Sequence, residues 1–307
     1  DVLVVPPRTV PKTSSGKLRR SSCRSQYLRG ELSRKQRGNR LLVSQMALHV
    51  AALSIRRGLA ALGRFVYGAY VLFVAAALFL PVWALSWLVP RHLFSRLSRI
   101  GIRLFLFLAG YRLRVSGLEH LEAGVEAPFV LVSNHASYID PLPLLAGLPL
   151  DFAFVVKSDA MTWPLMGRLI ERLGHLSVER GDRKSSVRDA EKLGDAMRGG
   201  RSIFFFPEGT FTRAMGLRPF KLGAFKLAAE SGRAIVPIAL VGTRRFLRDE
   251  SWLPRASELA IVVEAPLLAR DASLAEMVRL RDQAAEQIAR HVGEPRLDLV
   301  SAGLPLS

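Results

Sequence analysis

The segment VLVSNHASYID, Val130 to Asp140, sets an apolar run directly before a histidine and a carboxylate five residues after it. An unperturbed imidazole titrates near pH ~6.5, so His135 could take a proton from a hydroxyl near neutrality and return it later. A carboxylate bonded to its far nitrogen would hold the tautomer and stabilise the imidazolium. On one regular helix, side chains five residues apart point about 140° away from each other. The pair therefore requires His135 in the turn before a helix and Asp140 in its first turn. Asp140 followed by Pro141 is also the order of an N-cap and a first helical position, so the carboxylate reads equally as a helix cap. Ser133 and Ser137 flank the histidine, but the chain has no Gly-x-Ser-x-Gly elbow, and a serine acyl-enzyme is not expected.

The elements that must hold these residues show in the apolar pattern. Short runs recur at Leu113 to Val115, Phe129 to Val132, Phe152 to Val156, Leu176 to Val178, Ile203 to Phe206, Ile235 to Val241 and Leu259 to Val263. Helical periodicity lies between or after them at Trp163 to Leu173, Arg183 to Met197, Leu222 to Glu230 and Leu274 to Val292. Strands alternating with helices predict an α/β domain, a mixed central sheet flanked by helices. Sites in such sheets gather at the carboxyl ends of strands. Ser133 to His135 and Pro207 to Thr210 both fall there. Trp163, Met166 and Leu169 stand at helical spacing and are expected in the core rather than along an acyl tunnel.

The chain of 307 residues carries a net charge of +18, which calls for an anionic partner or surface. From Asp1 to Arg64 there are 14 Lys or Arg against Asp1 and Glu31. Just downstream, Phe65 to Pro90 holds no charged residue over 26 positions, long enough for a helix to cross a bilayer. Pro81 is expected to break or kink that helix. Arg56, Arg57 and Arg64 precede the run, and Arg91, Arg96, Arg99 and Arg103 follow it. Two positive flanks favour a re-entrant or in-plane anchor with both ends on the cytoplasmic face. Arg99 and Arg103 among Leu, Ile and Phe suggest an interfacial amphipathic helix. Membrane lipid, not nucleic acid, is thus the expected partner, and N-terminal hydrophobic membrane-associated helices the expected anchor. A chain beginning near Leu104 is expected to keep a folded core. Cys23 is the only cysteine, so neither an intrachain disulfide nor a cysteine-based metal site is expected.

Between Tyr111 and Pro266 the blocks NHASYID, GHLSVERGDR, FFPEGTFTR with PFKLGAFKLA, and IVPIAL occur in order. Together they resemble the four sequence blocks of the glycerolipid acyltransferase family. Each block alone is weak; the ordered set is specific. The resemblance implies a glycerol-3-phosphate acyltransferase-like fold and transfer of an acyl chain from acyl-CoA or acyl-ACP, a co-substrate rather than a cofactor. The implied acceptor is a lysophospholipid, foremost lysophosphatidate at its sn-2 hydroxyl, with another such as lysophosphatidylethanolamine as the alternative. His135 and Asp140 match the NH(x4)D motif, and Glu208, Gly209 and Thr210 the acceptor-binding EGT block. Arg180 matches the basic residue of the second block and Pro237 the proline of the fourth. Guanidinium groups bind phosphate by directed pairs of hydrogen bonds. Arg180 is the leading candidate, with Arg183, Arg213 and Lys221 behind it, although Arg183 and Lys221 read equally as solvated charges. Phe211 stands after EGT where many relatives carry arginine, leaving Arg213 as its replacement.

The segment VVPPRTVPKTSSGKLRRSSCRSQYLRG, Val4 to Gly30, reads by composition as a basic linker. It resembles the C-terminal tail of adenylate-forming acyl-CoA or acyl-ACP ligases, with Lys17 at the position of their adenylate-contacting lysine. No ATP-binding core accompanies it, so a ligase activity of this chain is disfavoured. The expected organisation is a ligase remnant at 1–36, a basic linker with membrane-associated helices at 37–110, an acyltransferase domain at 111–295 and a tail at 296–307.

Overall fold

The computed structural model describes residues 5, 9–13, 16–122, 126–179, 183–210, 215–247 and 253–297, and at 32–43 and 183–187 the backbone alone. Two compact units meet at Val66 and Tyr67. The first carries a turn in which the Thr13 amide donates to the Lys17 carbonyl at 2.8 Å, helix α1 (Arg20–Leu28) and the early part of α2 (Glu31–Leu88).

The second unit is built on seven strands, all legible as apolar runs. They are β1 (Leu113–Ser116), β2 (Val130–Ser133), β3 (Phe152–Lys157), β4 (Leu176–Val178), β5 (Ser202–Phe205), β6 (Ile235–Val241) and β7 (Leu259–Val263). They form one mixed sheet in the order β1-β7-β6-β2-β5-β3-β4, parallel except for β6 against β7. Helices on both faces explain why β2 and β6 read as unbroken apolar runs. Pro237 avoids the cost of its missing N–H because the β6–β7 ladder begins only at Ile238, paired with Val263.

The helices are α3 (Arg91–Leu108), α4 (Pro141–Gly147), α5 (Met166–Arg172), α6 (Arg183–Arg198), α7 (Gly223–Ser231), α8 (Thr243–Phe246) and α9 (Leu274–Val292). Helix α9 starts where the Ser273 hydroxyl accepts from the Glu276 amide and ends at Gly293 with φ 63, a capped start and a left-handed stop. One core cluster joins Val130, Ile203, Phe225 and Leu280 on one face of the sheet; another joins Leu131, Leu144, Phe204 and Ile238 on the other.

Four expectations change. Helix α2 continues through Pro81, and the break falls at Val89–Pro90 instead, where a second proline starts α3. Arg99 and Arg103 are tied to the body of the protein as well, although Arg103 remains exposed. Arg99 donates to the carbonyls of Leu148 and Leu150 and Arg103 to that of Ala146, satisfying the open carboxyl end of α4 and the chain after it. Val71, Val74, Phe105 and Leu106 bury against Tyr111, Phe246 and Leu259, so the compact unit reaches back to Tyr67 rather than beginning at Tyr111. Finally, Leu169 is buried as expected, but Trp163 and Met166 are exposed.

Candidate active site

Strands β2, β5 and β3 are parallel neighbours, so the segments leaving their carboxyl ends share one edge of the sheet. His135 leaves β2 there, Phe206 to Thr210 leave β5, and α5 follows β3. Asn134 anchors the departure: its side-chain amide donates to the Leu240 carbonyl at 2.9 Å and its oxygen accepts the Leu240 amide at 2.8 Å. The buried side chain thus mimics one more rung of the β2–β6 ladder.

The alternatives for Asp140 separate cleanly. It occupies the N-cap position of α4 but makes no side-chain capping bond. Instead the carboxylate turns back into the loop. Its Oδ2 accepts from His135 Nδ1 at 2.7 Å, from the Ala136 amide at 2.6 Å and from the Ser137 amide at 3.0 Å. Asp140 is fully buried. Since a carboxylate only accepts, Nδ1 carries the proton and the basic lone pair lies on Nε2. The ring is half-buried and stacks on Phe206 at 4.3 Å between centroids and 20° between planes. Phe206 in turn stacks on Phe154, against whose edge His175 packs. His175 accepts the Phe154 amide at Nδ1, and burial together with Arg201 and Arg91 pushes its pKa down to about 3. It is a neutral packing group. Ser133 and Ser137 are buried, and Ser137 Oγ donates to the Leu247 carbonyl at 2.9 Å.

Glu208 is buried behind the loop. Its Oε1 accepts the His135 amide at 2.7 Å and its Oε2 the Arg218 amide at 2.9 Å. Burial, only partly offset by these bonds, pushes its pKa up to about 7. Gly209, with φ 77, closes a turn in which its amide donates to the Phe206 carbonyl at 2.9 Å. Thr210 follows exposed, and Lys221 joins the cluster through its amide, which donates to the Pro207 carbonyl at 2.9 Å, with its side chain exposed. The arrangement therefore brings together His135, Asp140, Glu208, Gly209 and Lys221. Arg180, Phe211 and Arg213 lie outside the described residues, as does the side chain of Arg183. Among the described residues, no cluster of His, Cys, Asp and Glu could hold a metal ion.

Several supporting residues are invisible to motif reading. Gly216 donates its amide to Glu294 at 2.9 Å, and Glu294 also holds Arg244 at 2.7 Å. The Leu217 amide donates to the Pro295 carbonyl, fixing the strand of chain that presents Arg218 to Glu208. Only the Phe204–Phe206 run next to the EGT block carried a signal for the stacking partner, because its third phenylalanine lies just past the strand end.

Residues 112–241 match the profile of a protein family described as Acyltransferase. The chain is 37% identical over 158 residues to a chloroplastic 1-acyl-sn-glycerol-3-phosphate acyltransferase of Arabidopsis thaliana, covering 51% of this chain and 44% of that protein. It is 33% identical over 180 residues to one from Brassica napus, covering 58% and 50%. A lyso-ornithine lipid O-acyltransferase of Pseudomonas aeruginosa is 31% identical over 186 residues, covering 61% and 64%. The chain thus spans about half the length of the plant relatives it matches. The crystal structure of the 1-acyl-sn-glycerophosphate acyltransferase PlsC from Thermotoga maritima superposes with a TM-score of 0.61 at 20% identity, covering 76% of this chain and 96% of that one. The mixed α/β fold is therefore shared with that enzyme.

Proposed function

We propose that the chain is a membrane-associated O-acyltransferase that moves a fatty acyl group from acyl-CoA or acyl-ACP to the sn-2 hydroxyl of 1-acylglycerol-3-phosphate. The observation that carries this reading is the 2.7 Å bond between His135 Nδ1 and Asp140 Oδ2 inside the segment that matches the acyltransferase profile. Nε2 takes the acceptor's hydroxyl proton as the oxygen attacks the thioester carbonyl. Asp140 stabilises the imidazolium that forms. Collapse of the tetrahedral intermediate breaks the carbon–sulfur bond, and the thiolate leaves with the proton returned by His135. Arg180 and Arg213 are proposed as the contacts to the acceptor phosphate.

A second reading, another lysophospholipid acceptor such as lysophosphatidylethanolamine, draws on Phe211 after the EGT block and on the similarity to the lyso-ornithine lipid enzyme. Labelled acyl-CoA offered with a panel of lysophospholipids and resolved by thin-layer chromatography tests both. Lysophosphatidate as the preferred acceptor supports the first; preference for a head group without a terminal phosphate overturns it. In the first case Arg180→Ala raises the acceptor KM and leaves the donor KM unchanged.

The membrane association rests on the stretch Ser44–Leu85, long and apolar enough to cross a bilayer. The proposed active-site side is the cytoplasmic face. Cysteines placed at Arg57 and Arg96, with Cys23 removed, would both label with an impermeant thiol reagent from that face of oriented vesicles. Labelling from opposite faces would establish a span. The segment around the Thr13–Lys17 bond is proposed as derived from the tail of an adenylate-forming ligase, with Lys17 exposed.

A further inference from the structure

The entry to α5 departs from the pattern of a buried domain. Leu165 has φ 67 and ψ −47, and the Met166 amide donates to the Pro164 carbonyl at 2.7 Å. Pro164–Met166 is thus a positive-φ γ-turn, a strained conformation for a residue with a branched side chain. Gly167 permits its close approach, since a Cβ there would lie 2.0 Å from the Met161 carbonyl. The result of this geometry is that three large apolar side chains point away from the core: Trp163, Leu165 and Met166 are 50%, 47% and 42% exposed. Strain held in place by surrounding structure is a mark of functional segments.

The turn is continuous with the end of the apolar helix. Leu165 precedes Arg168 by one helical turn, and the Arg168 guanidinium lies 3.2 Å from the centroid of the Trp87 ring and donates to Ser86 Oγ at 3.1 Å. Arg172, one turn further, donates to the Val89 carbonyl. Trp87 and Leu88 are themselves exposed. Tryptophan beside arginine at the end of a long apolar helix is the composition of a membrane interface, where the indole sits among head groups and the guanidinium reaches phosphate. The same edge of the sheet carries the His135 loop, whose Tyr138 is also exposed.

We propose that the Trp163–Met166 turn is a lipid-inserting wedge, a second contact with the phospholipid surface next to the end of α2, set beside the loop that carries His135. It would seat the catalytic edge against the bilayer, so that a lipid acceptor need not leave the interface fully to reach Nε2. The wedge rests on membrane association and not on the identity of the acceptor, so its test does not require turnover.

The full chain with Cys23→Ser and Leu165→Cys is labelled with a polarity-sensitive fluorophore and reconstituted with phosphatidylcholine and phosphatidylglycerol vesicles. Lys226→Cys, on an exposed helical surface, is the control. The label at 165 should shift to the blue and be quenched by lipids brominated high on the acyl chain roughly threefold or more beyond the control. If Leu165→Cys does not fold, Trp163→Cys carries the label to the same turn without a demand on φ. Equal quenching of both positions by aqueous iodide in the presence of vesicles overturns the wedge. Protection from iodide without vesicles marks the turn as a protein contact and overturns it as well.

Discussion

The backbone amide of His135 is held by Glu208 Oε1 at 2.7 Å, while Glu208 Oε2 holds the amide of Arg218 at 2.9 Å. Both oxygens of the EGT carboxylate are therefore spent on the main chain of two loops, one of them the loop of the histidine. Glu208→Gln turns one acceptor into a donor and sets an N–H against an N–H. We expect kcat to fall about 10- to 100-fold, the equivalent of one buried group left unpaired, with little change in acceptor KM. Steady-state rates with acceptor concentration varied check this. A rise in acceptor KM at constant kcat would make Glu208 an acceptor contact instead.

His135→Ala should abolish acyl transfer in a protein that keeps its fold. Asp140→Asn should lower kcat by about 10²–10⁴-fold, because the amide can present N–H to Nδ1 and invert the tautomer. Circular dichroism establishes the fold, and turnover with labelled acyl-CoA gives the rate. Wild-type turnover in folded His135→Ala protein, or an acylated protein trapped with a slow acceptor, would replace general-base catalysis by another mechanism.

Two buried groups set opposing slopes of stability against pH. Burial pushes Glu208 up to about 7 from 4.5, so between those values the folded chain keeps a proton that the unfolded chain releases, and stability falls as pH rises. Burial pushes His175 down to about 3 from 6.5, so the unfolded chain binds a proton that the folded one refuses, and stability falls as pH drops through that window. Between pH 4.5 and 6.5 the two offset each other. His175→Leu should leave a protein that becomes more stable on acidification there, and Glu208→Gln one that becomes less stable, each by about 1 kcal/mol per pH unit. Denaturant midpoints across the window measure the slopes. Parallel slopes in the two variants would contradict the assignment.

A chain beginning near Leu104 loses the Arg99 and Arg103 bonds to the carbonyls at the end of α4, as well as buried Val71, Val74 and Phe94. Charged hydrogen bonds contribute about 1.5–3 kcal/mol each and buried apolar side chains a similar amount. Their sum is of the order of a whole domain's stability, about 5–15 kcal/mol. Such a chain should aggregate or melt far below the full chain, whereas one beginning at Tyr67 keeps these contacts and a cooperative thermal transition. Equal melting of the two would show that α3 is only an appendage.

Residue order alone determined the sheet and the strand-end position of the His135 and EGT segments. Seven strands could be found because strands covered on both faces must be apolar throughout, as Val130 to Val132 and Ile235 to Ile238 are. His135 and the EGT block could be located because sites in such sheets collect where strands end. Tertiary structure decided what local pattern leaves open. Asp140 before Pro141 spells a helix cap, and only the fold of the loop turns its carboxylate toward His135 Nδ1. Arg99 and Arg103 read only as interfacial charge, and the fold alone shows that they also bond the carbonyls at the carboxyl end of α4. Phe206, Arg218 and Glu294 carried little or no motif signal, since their roles arise from contacts between segments distant in the chain. Trp163 and Met166 have core spacing, but the positive φ of Leu165 rotates the turn outward, a backbone choice that periodicity does not encode.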